Sequence, residues 1–148
     1  MIEIYKDRNL AVLFSQNPQI FVDYPKNKYQ NCKKPFLLQN DLEVVLIDYT
    51  KEQTYYFVVK KNYCWDGATI PRFFWRLVGS KTDPRFLVPS LVHDVLCENH
   101  HYVNHDRYFA DCVFERLLYI SGVNPFIRWM MFHSVDNFQK FCKWRNKK

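Results

Sequence analysis

The sequence predicts an α+β fold: an N-terminal antiparallel β-strand layer followed by three to four packed helices. Three observations lead there. Up to about Lys61 the chain runs in short stretches of β-branched and aromatic residues separated by polar breaks. Beyond Thr69 the apolar residues recur at helical spacing. Pairs of a capping residue and a proline, Asp83-Pro84 and Asn124-Pro125, open two of those helical stretches. One domain over 1–148 is expected, β-rich over 1–64 and helical over 69–145.

Strands are expected from Asn9 to Phe14, Gln19 to Tyr24, Pro35 to Leu38, Leu42 to Tyr49 and Thr54 to Lys61. The clearest pair is Leu42 to Tyr49 against Thr54 to Lys60, joined by the polar loop Thr50-Lys51-Glu52-Gln53, which has hairpin length. Between Gln16 and Lys34, Pro18, Pro25 and several Asn and Lys make a less regular stretch that reads as an exposed loop.

The helical half opens at Asp66-Gly67-Ala68-Thr69-Ile70-Pro71, with Thr69 as a cap and a short helix expected from Arg72 to Val78. Asp83-Pro84 starts the next helix, although Pro89 lacks an amide hydrogen and either kinks it or marks its true start. On that helix Val88, Leu91, Val92, Val95 and Leu96 share one face, while Ser90, His93, Asp94 and Cys97 gather on an opposite, polar one. Asn99 to Asn104 reads as a loop, and Asn104 or His105-Asp106 opens a helix that ends at Ser121-Gly122. Its buried stripe is Phe109, Ala110, Val113, Phe114, Leu117 and Leu118, with Asp111 partly buried at the edge. Asn124-Pro125 opens a last helix to about Trp144 with Ile127, Met131, Val135, Phe138 and Cys142 in register.

Composition bounds the function classes. A chain that is 48% hydrophobic and 18% aromatic is a folded domain and not a disordered linker. A net charge of +6 favours acidic partners, and the basic C-terminus Lys140, Lys143, Arg145, Lys147 and Lys148, interleaved with Phe141 and Trp144, would meet phosphates or cap a helix dipole. The five cysteines contain no CxxC, so reduced, buried thiols in a cytosolic protein are expected. No signal peptide and no membrane span of roughly 20 apolar residues is read, so the host cytoplasm is the expected location. Gly-rich phosphate loops, GxSxG and HExxH are missing, which removes support from nucleotide-dependent and serine-hydrolase chemistry.

The chemistry-bearing group is His93, Asp94 and Asp111, with Trp65-Asp66-Gly67-Ala68 upstream. A histidine oriented by a carboxylate can deprotonate water, while a second carboxylate holds a hard cation that stabilises an oxyanion. Adjacent helical residues diverge by about 100°, so Asp94 cannot orient its own neighbour and Asp111, one helix on, is the better orienter. The competing reading is structural: the dyad satisfies local polar groups and Arg107 pairs with Asp111 at i,i+4. Cys97, four residues after His93, is either a soft ligand or nucleophilic thiol or a buried inert one. His100, His101, His105 and His133 are further metal ligands on paper.

Asp66-Gly67-Ala68-Thr69-Ile70-Pro71-Arg72 with Trp75, then His93-Asp94-Val95-Leu96-Cys97, then Arg107-Tyr108-Phe109-Ala110-Asp111-Cys112-Val113-Phe114 stand in this order. Together they resemble the phage and bacterial family called domain of unknown function 1353, over roughly residues 42 to 141, with Cys97 where that pattern has Tyr. The resemblance implies a small phage or prophage accessory protein, with Thr69, Arg72, Trp75 and Arg107 in structural or substrate-positioning roles. More remotely, the dyad is similar to that of the calcium-dependent secreted phospholipases. Carried over, that similarity makes His93 the base, Asp111 its orienter, Asp94 a metal ligand and Asp66-Gly67 the metal loop. A divalent cation is then the expected cofactor, calcium first, then magnesium, manganese or zinc.

Two functions from different classes follow. One is a metal-dependent hydrolase acting on an ester, amide or phosphoester. The other is a non-enzymatic phage protein that binds a host or virion protein, for example in counter-defence, with the His-Asp-Asp cluster structural. A third, nucleic-acid binding through the basic C-terminus, would be steep in salt.

Overall fold

A computed structural model describes residues 2–6, 9–22, 34–65 and 84–146, with backbone alone for 2–6 and 136–146. Its architecture is α+β: antiparallel sheets first, helices after. The chain divides into two compact units, Met1–Gly67 and Ala68–Lys148.

The first unit contains β1 (Ile2–Lys6), β2 (Leu10–Phe14), β3 (Ile20–Val22), β4 (Phe36–Leu38), β5 (Leu42–Asp48), β6 (Gln53–Val59) and β7 (Cys64–Trp65). Four of them form an antiparallel sheet in the order β1-β2-β5-β6, and three form a second in the order β3-β4-β7. The period of two is plain in β5, where Leu42, Val44 and Leu46 are buried and Glu43 is exposed, so one face of the strand meets the core. The β5–β6 hairpin pairs Leu42 with Val59 and Leu46 with Tyr55, as the sequence led us to expect. Its turn is one residue earlier than expected, because Gln53 pairs with Asp48 while the Asp48 carboxylate accepts from the Thr50 and Lys51 amides and closes the loop.

Sequence reasoning missed β1 and β7. The Ile-Glu-Ile-Tyr-Lys run of β1 does alternate, whereas the two residues of β7 are too few for any pattern. The role of β7 is packing: Trp65 is fully buried with its ring 5.6 Å from that of Phe36. Of the expected loop from Gln16 to Lys34, the described part includes β3, and residues 23–33 lie outside the description. The expectation of five reduced thiols is corrected at Cys64, which is disulfide-bonded. Such a bond is unusual in a reducing cytosol.

In the second unit, α1 (Pro84–Glu98), a 3-10 helix (His100–Val103), α2 (Arg107–Ile120) and α3 (Pro125–Asn146) follow one another. The box from Asp66 to Pro71 and the short helix expected at Arg72 to Val78 lie outside the described residues. Proline opens α1 and α3, where its missing amide costs no hydrogen bond. Pro89 sits within α1 and does not start it. The stretch expected to be a loop at Asn99 to Asn104 is instead a 3-10 turn closed by Asn104 in the left-handed region.

Caps explain the remaining boundaries. Asp106 accepts from the Phe109 amide at 2.9 Å and begins α2. Ser121 and Gly122, the latter at φ +87, end it. Asn124 accepts from the Ile127 amide at 2.9 Å and begins α3. Phe86, Phe114, Leu118, Val123, Ile127, Met130 and Met131 then form one apolar cluster with Val135 packed against it. Each such side chain stabilises the fold by roughly 1.5–3 kcal/mol on burial. Arg128 ties α3 to α2 by donating to Glu115 at 2.8 Å, with its guanidinium 4.8 Å from the centre of the Tyr119 ring.

Candidate functional site

The helix α1 is buried on more than the side its sequence pattern suggested. Leu91, Val92, Val95 and Leu96 are buried as expected, and so are Ser90 and His93 on the face expected to be polar and open. Those two are tolerated inside because each finds a partner: the Ser90 hydroxyl donates to the Leu87 carbonyl at 2.9 Å, and His93 reaches Asp111. Sequence spacing shows which residues share a face, but not that a second helix covers it.

That second helix is α2. Nε2 of His93 lies 2.8 Å from Oδ1 of Asp111, eighteen residues on. Asp111 is 1% exposed, well beyond the partial burial expected at the edge of its stripe. The imidazole also packs on Phe114, one turn further along α2, with ring centres 4.8 Å apart. Burial on its own pulls an imidazole pKa down, but the hydrogen bond that His93 donates to Asp111, with a contribution from Cys97, outweighs it and lifts His93 to about 9. At neutral pH the pair is therefore an imidazolium against a carboxylate, with Nε2 committed to Asp111.

Cys97 lies one turn along α1, its sulfur 3.6 Å from Nε2 and 3.8 Å from Nδ1 of His93. The sulfur is thus within reach of a weak hydrogen bond with either ring nitrogen, whichever the tautomer allows. Asp94 is half-buried on the same helix. Arg107, the first residue of α2, is half-buried, and its charge acts on His100, whose protonation it disfavours.

The structure thus brings together His93, Asp111 and Cys97, with Phe114 as a contact that spacing alone did not single out. Asp66, Gly67, Thr69, Arg72 and Trp75 lie outside the described residues. Lys140, Lys143 and Arg145 fall on the last turns of α3 with backbone alone described, and Lys147 and Lys148 lie outside. Among the described residues no three His, Cys, Asp or Glu side chains gather as a metal-ligand group. No helix among them is long and apolar enough to cross a membrane.

Comparison with known proteins bears on the same segment. A family model described as a protein of unknown function (DUF1353) matches residues 44–135, which span the β5–β6 hairpin, α1, α2 and the first half of α3. The uncharacterized protein y4jT of Sinorhizobium fredii (strain NBRC 101917 / NGR234) is 37% identical over 43 residues. That match covers 29% of this chain and 13% of the relative, so the chain spans only a small part of that protein's length. No solved structure matches. Matched over more than half its length, helices of the His93–Asp111 pair included, the chain belongs to the DUF1353 family of proteins of unknown function.

Proposed function

We propose that the protein is a hydrolase, serving a phage or prophage as a small accessory protein, in which His93 is the general base that activates water. The observation that carries this reading is the 2.8 Å contact between His93 Nε2 and Asp111 Oδ1. With Nε2 held by the carboxylate, His93 would exchange its proton with water at Nδ1, beside the Cys97 sulfur at 3.8 Å, and the orienting group fixes the tautomer. The substrate class is an ester, amide or phosphoester. Asp94, with the Asp66-Gly67 loop, would hold a divalent cation, calcium first, then magnesium, manganese or zinc, and that ion would supply charge stabilisation to a developing oxyanion.

The test is a metal titration by calorimetry and thermal shift on wild type and Asp94→Asn. An ion bound at the site stabilises the native chain by about 2.7 kcal/mol at one hundred times its dissociation constant. Stabilisation of wild type and not of Asp94→Asn supports the reading. An ion that stabilises both equally, or none that stabilises either, removes Asp94 from it.

A second reading is favoured by one observation, the burial of a His93–Asp111 pair that is charged at neutral pH. In that case the pair is a clamp between helices and the protein acts by binding a host or virion protein. The basic C-terminus would add attraction for an acidic surface, with binding that falls steeply with salt. A complex with a host or virion protein that survives His93→Ala and Asp94→Asn supports this reading; metal-dependent turnover lost in those variants refutes it.

A further inference from the structure

The outward face of α3 carries rings where a surface helix ordinarily carries charge. Inward, Ile127, Met130 and Met131 join the apolar cluster, and Arg128 is engaged by Glu115 and the Tyr119 ring. Outward, Phe126 and Trp129 stand 57% and 59% exposed, and His133 is exposed one turn further on. Their rings follow one another along the helix. Phe126 and Trp129 lie near parallel, their planes 23° apart and their centres 6.4 Å apart, and Trp129 lies 4.8 Å from His133. Phe132 widens the row, with its ring edge to face with His133 at 5.4 Å and with Tyr108 of α2, itself 64% exposed, at 6.1 Å. Single exposed apolar side chains need no explanation, but neighbouring rings on one face do.

The same face turns basic along its length. At 100° per residue, Phe126, Trp129, His133, Asn137, Lys140 and Trp144 fall within about 40° of one line along α3, with Lys143 at its margin. Asp136 is the single acid on α3, against Arg128, Lys140, Lys143 and Arg145. Charge and composition choose what this face meets. A second copy of the chain would set +6 against +6, and like charge opposes it. A membrane interface takes aliphatic side chains beside aromatic ones, and among the described residues this row exposes no Leu, Ile or Met. A polyanion whose bases stack on rings while its phosphates meet ammonium groups suits both halves of the row.

We propose that the outward face of α3 is a docking surface for single-stranded nucleic acid, with bases stacked on Phe126, Trp129 and His133 and the phosphate backbone running toward the Lys140 and Lys143 end of the helix. Stacking asks for a base face and no particular base, so binding is sequence-tolerant. A duplex, whose base faces are covered, is the weaker ligand. The surface does not depend on the chemistry of His93, so it stands or falls apart from the hydrolase reading.

Fluorescence anisotropy of a labelled oligothymidine of about 16 nucleotides with the full chain tests the proposal. Phe126→Ala and Trp129→Ala each remove an exposed ring and should weaken binding about ten-fold or more. Lys140→Gln should weaken it less and flatten its salt dependence, whereas the effect of Trp129→Ala should persist across salt concentrations. Tyr56→Ala, at a ring 57% exposed in the first unit, should leave binding unchanged. Phosphatidylserine vesicles and sedimentation of the chain alone test the competing occupants. Oligothymidine binding that is absent, or unchanged in both ring variants, overturns the proposal, as does vesicle binding or dimerisation through Trp129 in its place. Should a ring variant fail to fold, nitrogen-15 indole spectra of the wild-type chain decide instead: oligothymidine must move the Trp129 signal, and an unmoved signal overturns the site.

Discussion

Nε2 of His93 meets Oδ1 of Asp111 at 2.8 Å in the buried space between α1 and α2, and this one contact sets the charge state of the candidate site. His93 is lifted from 6.5 in an unfolded chain to about 9 in the folded one. A raised pKa means that the folded state binds the proton more tightly, so the stabilisation is fully present below about pH 6.5 and is lost as pH rises through about 9. The expected outcome is a fall in unfolding free energy on the order of 2–3 kcal/mol across that window, measured by urea denaturation at a series of pH values.

Asp111→Asn removes the charge that outweighs burial. The His93 pKa should then fall well below about 9, since only the contact with Cys97 is left to oppose desolvation. Nitrogen-15 NMR titration of the imidazole reads this directly. The same variant should lose about 2–3 kcal/mol near pH 6 and show little of the alkaline fall in stability seen in wild type.

Phe114 belongs both to the apolar cluster and to the surroundings of His93. Phe114→Ala should cost about 3–5 kcal/mol by opening a cavity at a 2% exposed position. It should also admit water to the imidazole, so its effect on the His93 titration, compared with that of Met131→Ala in the same cluster, separates packing from electrostatics.

At the end of α2, a Cβ added to Gly122 would meet nothing within 4 Å, so only the backbone at φ +87 resists substitution. Gly122→Ala should cost about 1 kcal/mol. Asn124→Ala should cost a similar amount, about 1 kcal/mol, by leaving the Ile127 amide without its cap. Thermal melts of the two single variants and the pair check both values.

Much of the helical half was legible because its boundaries are written in local chemistry. Asp106, Ser121-Gly122 and Asn124-Pro125 act within a turn of where they stand, and the stripe Phe109, Ala110, Val113, Phe114, Leu117 and Leu118 follows from spacing alone. The β5–β6 hairpin was legible for the same reason, alternation plus a short polar turn. What spacing does not contain is which second element covers a face. The burial of Ser90 and His93 and the depth of Asp111 come from helix-on-helix packing, as does the Phe114 contact with the His93 ring. The His100–His105 contact was illegible for another reason: it depends on two successive left-handed residues that are not glycine.

The account's central claim, that His93 held by Asp111 is a general base, is tested most directly by the pH dependence of turnover. Chromogenic ester and phosphoester substrates would be assayed with each divalent cation for wild type, His93→Gln and Asp111→Asn, with folding verified by circular dichroism. The base must be neutral to act, so the wild-type rate should climb with pH and level off above about 9. His93→Gln should abolish it, and Asp111→Asn should move the rise to lower pH while lowering the plateau, on the order of 10²-fold or more. Turnover in His93→Gln equal to that of wild type, or no turnover of any substrate with any cation, would contradict the claim and leave the pair as a clamp between α1 and α2.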